Sequence, residues 1–248
     1  MKDRKERKDR ERRGGEIAEE RGMPIIVACD SRSKAKSAEM VPRKGRHPFA
    51  IQRVSQMLKS LGYRKVILKS DQGNDICDLK KAVRLECPDI EVVMEESPVG
   101  EHQSNGQVEN AIRQAQGVFR SMKDALESRL GKRLDGECWA IPWLIRHATA
   151  MMNRMHVHPN GKTSYEYVKG KRYKRETIEF GERLHYLKPD SVGKDKFHTR
   201  WNNGIYCGHL DESGEILIGT SSGMVKVRTI KWFASQEERW NADAFTQI

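Results

Sequence analysis

Residues 64–73 read Arg-Lys-Val-Ile-Leu-Lys-Ser-Asp-Gln-Gly, a short apolar run that stops at a carboxylate and a glycine turn. Its core, Val66-Ile67-Leu68, is too short for a helix and rich in β-formers, so residues 64–69 read as a strand. Asp71 stands just past the strand and opens the polar turn Asp71-Gln72-Gly73-Asn74-Asp75. Strand ends of mixed α/β sheets commonly hold ligands. Asp71 is therefore the first candidate functional residue.

Downstream, residues 76–85 read as a helix and 90–94 as a short strand. After the Ser97-Pro98-Val99-Gly100 break comes the longest helical pattern, 103–130, with an apolar stripe through Val108, Ile112, Ala115, Phe119 and Leu126. Glu109 sits one turn into it, on the polar side. Thirty-seven residues separate Asp71 from Glu109, enough for a helix, a strand and a loop that return Glu109 to the Asp71 strand end. Two carboxylates converging in this way can hold Mg²⁺ or Mn²⁺, hard cations that prefer oxygen.

Upstream, residues 24–29 read as a buried strand ending at Asp30-Ser31, and 35–41 as a second strand closing on Pro42-Arg43-Lys44-Gly45. Residues 49–62 carry a helical stripe stopped by Gly62. A further helix spans 140–153. From about Phe180 the texture changes to short alternating segments at 183–187, 204–209, 215–219 and 224–233, separated by Gly and Asp turns. That pattern predicts a small β-barrel or sheet after an α/β domain. The division is a charged tail at 1–22, an α/β core at 23–176, a barrel-like module at 177–235 and a tail at 236–248.

The chain has 248 residues, 37% of them hydrophobic and 33% charged, with 46 Lys and Arg against 35 Asp and Glu. The resulting +11 favours a polyanionic partner, because phosphate contacts release counterions from nucleic acid. Residues 1–22 hold nine Lys and Arg against seven Asp and Glu, so most of the surplus lies in the folded part. That tail has too few apolar residues to offset its ordering entropy, and reads as disordered or as a solvated helix. No apolar run reaches the roughly 20 residues needed to cross a bilayer, and no secretory signal is visible. Five scattered cysteines without a CxxC pair suit a reducing compartment, nucleus or cytoplasm, rather than a disulfide framework. His156 and His158, with Cys138, lack the spacing of a zinc site and read as loop residues. The five tryptophans read as core anchors.

The stretch Glu96-Ser97-Pro98-Val99-Gly100-Glu101-His102-Gln103-Ser104-Asn105-Gly106-Gln107-Val108-Glu109 resembles the integrase signature, in which a Ser-Pro loop leads to a helix bearing the third metal-binding Glu. Val66 to Gly73 resembles the strand bearing the second metal-binding Asp. Asn153-Arg154, Gly161-Lys162-Thr163-Ser164-Tyr165-Glu166 and Gly170-Lys171 resemble the segment ending the core of copia-type retrotransposon integrases. Phe180-Gly181-Glu182-Arg183 resembles the entry to their Src-homology-3-like barrel. The resemblance implies a ribonuclease-H-like mixed sheet flanked by helices. It also implies DNA integration by metal-dependent phosphodiester cleavage and strand transfer, with Asp71 and Glu109 as metal ligands. The helix after Glu109 would lie along DNA, with Arg113, Arg120 and Lys123 facing phosphates. Self-association on two DNA ends is expected on the same ground.

One part of that pattern has no counterpart. The family's first catalytic Asp lies on a strand preceding 24–29, where this chain has only the charged tail. Asp30 ends the family's second strand and is not a metal ligand there. The expectation is an integrase core short of its first strand and first carboxylate. Two rivals stand beside it, a relic that binds nucleic acid without cutting it and a plain ribonuclease-H-like nuclease. Salt-sensitive DNA binding indifferent to Asp71 and Glu109 would mark the former.

Overall fold

The computed structural model describes residues 23–97, 105–189 and 197–248. The expectations for the 1–22 tail and for Pro98 to Ser104 of the signature lie outside them. Two short strands, β1 (Ile25–Cys29) and β2 (Lys36–Met40), pair antiparallel, and β3 (Lys65–Ser70) and β4 (Glu91–Glu96) pair parallel. Helix α1 (Pro48–Leu61) joins the two pairs, and α2 (Asn74–Glu86) makes the crossover from β3 to β4. Helices α3 (Gly106–Leu130), α4 (Ile141–Met155) and α5 (Ser164–Lys169) follow. The last of these was not anticipated, because six residues are too few to show a helical period.

Local chemistry fixes these boundaries. His47 accepts a hydrogen bond from the Phe49 N–H and Pro48 opens α1, while Gly62 closes it at φ 72°. Thr163 caps α5 by accepting from the Glu166 N–H. Asn153 pins the outer edge of β2: its Oδ1 accepts from the Lys36 N–H at 2.8 Å and its Nδ2 donates to the Lys36 carbonyl at 2.7 Å.

β1 has apolar neighbours on both faces. Ile26 joins a core of Leu58, Leu79, Val83 and Val92 under α1 and α2, to which Val66 and Leu68 of β3 also belong. Val27 joins a second core of Leu126, Ile141, Leu144, Ile205 and Leu217. Yet β1 and β3 are not hydrogen-bonded to one another. Among the described residues, each has one edge with no strand partner. The Tyr63 hydroxyl donates to Asp30 at 2.9 Å, tying the end of β1 to the start of β3 by side chains alone. Ile67 beside this opening is 59% exposed, an unusual state for an aliphatic residue mid-strand.

The C-terminal strands are β5 (Arg183–Leu187), β6 (Trp201–His209), β7 (Ile216–Thr220), β8 (Gly223–Val227) and β9 (Ile230–Trp232). They form one antiparallel sheet in the order β8-β7-β6-β5-β9. The barrel-like expectation needs correcting on closure: β8 and β9 end the sheet on opposite sides and do not pair, so it stays open. The single segment foreseen at 224–233 divides at Arg228-Thr229 into β8 and β9, each serving a different neighbour. Two short helices, α6 (Gln236–Arg239) and α7 (Ala242–Thr246), place Phe245 in the shared core, 2% exposed.

A buried ion pair fastens α4 to the β6–β7 turn. Arg154, its side chain 1% exposed, donates to Asp211 at 2.5 Å and to the His209 carbonyl, and lies 4.8 Å from the Tyr173 ring centre. Burial is the largest influence and lowers the Arg154 pKa, but the Asp211 charge and hydrogen bond together with Tyr173 and Tyr206 outweigh it, and the net shift is upward. No helix among the described residues is long and apolar enough to cross a membrane.

Candidate functional site

Asp71 and Glu109 come from separate elements, and one buried serine links those elements. Beyond the last β3–β4 register pair, Ser70 with Glu96, the Ser97 N–H donates to the Ser70 carbonyl at 2.9 Å. Gln72, beside Asp71, donates from Nε2 to the Ser97 carbonyl at 3.2 Å. Ser97, 3% exposed, donates from Oγ to Asn105 Oδ1 at 2.6 Å. Asn105 stands at the N-cap of α3, but its side chain makes no capping bond because Ser97 engages it. Glu109 follows in the first turn, about 6 Å along the axis. The end of β3 ahead of Asp71 and the start of the Glu109 helix are thus linked at the C-terminal end of the β3–β4 pair, and both carboxylates are solvent-exposed. The helix N-terminus favours negative charge there.

The donor chemistry suits a hard divalent cation, with two carboxylates that leave other positions to water or phosphate oxygens. Among the described residues, no group of three or more His, Cys, Asp or Glu side chains is arranged to hold a metal. Cys77 stands beside the Asp71 turn, its thiol 4.0 Å from the Asp71 carbonyl and 3.5 Å from Glu96 Oε1. Desolvation, and next the hydrogen bond to Glu96, push that thiol upward, which keeps it protonated.

Arg113 and Arg120 are exposed on the same face of α3 as Glu109. Lys123, grouped with them in the sequence, is half-buried, and its Nζ donates to Glu127 at 2.5 Å. Glu127 also accepts from Arg133 at 2.9 Å and from the Leu134 N–H at 2.6 Å, locking the turn after α3. Lys123 first, and then the Leu134 N–H, pull the Glu127 carboxyl down to about 2.

Asp30 has a structural task. Its Oδ2 accepts from the Ser33 N–H at 2.7 Å, the Ser33 hydroxyl at 2.5 Å and the Tyr63 hydroxyl. Burial opposes its charge, but the Ser33 and Tyr63 bonds win and its pKa falls. Tyr63 is pushed up to about 12 by desolvation and then by Asp30. His158 donates or accepts at Ser164 Oγ, 2.8 Å away, across the turn that bridges Val157 to Thr163.

Two features escaped the sequence reading. Trp139, Trp143 and Trp240 pack on the core as expected, but Trp201 and Trp232 belong to none of the apolar cores. Lys231 Nζ lies 4.3 Å from the Trp201 ring centre, and Trp232 is 38% exposed. The second is a buried charge cluster in β2, where Glu39, 6% exposed, is hydrogen-bonded by Arg53. Two charged residues, Lys36 and Glu39, within the short strand Lys36–Met40 were its only signal.

No protein-family model matches the chain, and no curated protein does. Among solved structures, the chain is similar to one in the cryoEM structure of the simian T-cell lymphotropic virus intasome in complex with PP2A regulatory subunit B56 gamma. The identity is 15%, the match covers 85% of this chain and 72% of that one, and the TM-score is 0.44. It is also similar to the catalytic core domain of BIV integrase, at 20% identity over 59% of this chain and 85% of that one, with a TM-score of 0.41.

Proposed function

We propose that this protein acts on DNA as the core of a retrotransposon-type integrase, cleaving and joining phosphodiesters with Asp71 and Glu109 as two of its carboxylates. The observation that supports the reading is the hydrogen-bonded link through Ser97 and Asn105, which ties the end of the strand ahead of Asp71 to the start of the helix that bears Glu109. The opening between β1 and β3 supports it further, since an integrase core has a strand in that position and that strand bears its first carboxylate.

A divalent ion held by Asp71 and Glu109 would activate the attacking oxygen and stabilise the leaving one. The chain's own residues do the rest. Ser97 and Gln72 hold the Asp71 turn against the end of β4. Arg113 and Arg120 continue the line of Glu109 along α3 and supply phosphate contacts. Lys123, committed to Glu127, contributes little to that surface. DNA, a second copy of the chain and an intracellular setting are the partners and place that go with this activity.

The test is fluorescence anisotropy on duplex DNA, with and without Mg²⁺ at constant ionic strength. Binding should tighten with Mg²⁺ in the wild type and lose that response in Asp71→Asn and Glu109→Gln. Salt-sensitive binding with no Mg²⁺ response in any of the three would instead establish a nucleic-acid binder without the catalytic site.

A further inference from the structure

A cleft of about 140 Å³ lies between β2, α1, α4, α5 and the β6–β7 turn, and none of these elements carries Asp71 or Glu109. Its charges are unevenly matched. Glu39 is taken by Arg53, which bonds it through Nε and Nη2 while its Nη1 donates to Gln56. Asp211 is taken by Arg154. Of the other charged lining residues, Arg146, Lys36 and Lys169 face Glu212. Arg146 has only a long ion pair to Glu39, 3.8 Å, although its side chain is 29% exposed. Lys36 is 9% exposed and donates only to the Lys34 carbonyl, at 3.3 Å. Desolvation, and then the neighbouring Arg53, lower the Arg146 pKa against the opposing charges of Glu39, Glu212 and Asp211. His209 on the opposite wall is pushed down to about 4 by burial and then by Arg154, so it adds no charge at neutral pH.

We propose that this cleft binds a terminal phosphate group, as free phosphate or a small phosphomonoester, with Arg146 as its anchor. The guanidinium offers a fork that matches two phosphate oxygens. A monoester is largely a dianion at neutral pH, which Arg146, Lys36 and Lys169 together can meet. The small volume suits a group that enters from one side, whereas a nucleic-acid backbone diester has substituents on both sides and carries one charge.

The experiment is thermal melting and calorimetric titration of the full chain with inorganic phosphate, phenyl phosphate and dimethyl phosphate, against NaCl at matched ionic strength. Phosphate and phenyl phosphate should each raise Tm saturably, by roughly 4–6 °C at about 20-fold excess over Kd. Dimethyl phosphate should not. Arg146→Gln should abolish the rise, and Lys169→Gln should weaken binding at least about 3-fold while leaving the phosphate-free Tm unchanged. Should Arg146→Gln fail to fold, the Lys169→Gln result decides. A rise equal to that in NaCl, or one unaffected by these variants, would overturn the proposal, and so would dimethyl phosphate binding as well as the monoester. Asp71→Asn should leave phosphate binding intact, so failure here is separable from failure of the DNA reading.

Discussion

Removing the Asp211 carboxylate should cost more than removing the arginine it serves. Arg154 is 1% exposed and Asp211 43%, so Asp211→Ala leaves a guanidinium buried with only the His209 carbonyl and the Tyr173 ring. Breaking a fully buried pair costs about 3–5 kcal/mol, whereas exposed pairs contribute about 0.2–1 kcal/mol. With one partner open to solvent, Asp211→Ala should fall between, near 2 kcal/mol, a Tm drop of about 4–8 °C for a chain of this size. Arg154→Met removes the charge together with its desolvation and keeps much of the packing, so its cost should be about 1 kcal/mol. The double variant should then resemble Arg154→Met alone, giving a coupling near 2 kcal/mol. Urea titration followed by tryptophan fluorescence measures all four proteins. Costs that add to within about 0.5 kcal/mol, or an Asp211→Ala cost below that of Arg154→Met, would refute the argument.

Other outcomes follow from single contacts. A Cβ on Gly204 would stand 2.3 Å from Ile218 Cγ2 and 2.7 Å from the Gly219 carbonyl, so Gly204→Ala should lose about 1–3 kcal/mol in the same titration, and a neutral result would mean β6 and β7 are packed differently. Glu127 has a folded-state pKa near 2, below the ordinary carboxyl value of about 4.3, so its contribution is complete above that value and is lost as pH falls toward 2. The stability difference between wild type and Glu127→Gln, read from urea midpoints, should therefore shrink between about pH 5 and pH 2; a difference constant with pH would contradict the assignment. Leu144→Ala, at a fully buried core position, should cost about 2–5 kcal/mol, and a cost under 1 would place α4 outside the core.

The elements around the site were legible because their signals are local. Val66-Ile67-Leu68 ahead of Asp71-Gln72-Gly73 announces a strand and its turn, and the stripe from Val108 to Leu126 announces α3 to within the described residues. What holds the site together was not legible. Ser97, Gln72 and Asn105 are polar residues in loops or turns, and only the fold brings 72, 97 and 105 within hydrogen-bond reach. Arg113, Arg120 and Lys123 share a helix face with Glu109, but Lys123 has an acidic neighbour four residues on and pairs with it. The open sheet could not be told from a closed barrel, because closure depends on whether β8 meets β9 and not on their composition.

The most direct test of the central claim is Mn²⁺ binding, followed by the loss of the free-ion electron paramagnetic resonance signal in the wild type, Asp71→Asn and Glu109→Gln. The account predicts a site in the wild type with Kd of about 0.1–1 mM, as suits two carboxylates completed by water, and at least about 10-fold weaker binding in either variant. Equal Mn²⁺ affinity in all three proteins, or no binding up to about 10 mM, would contradict it.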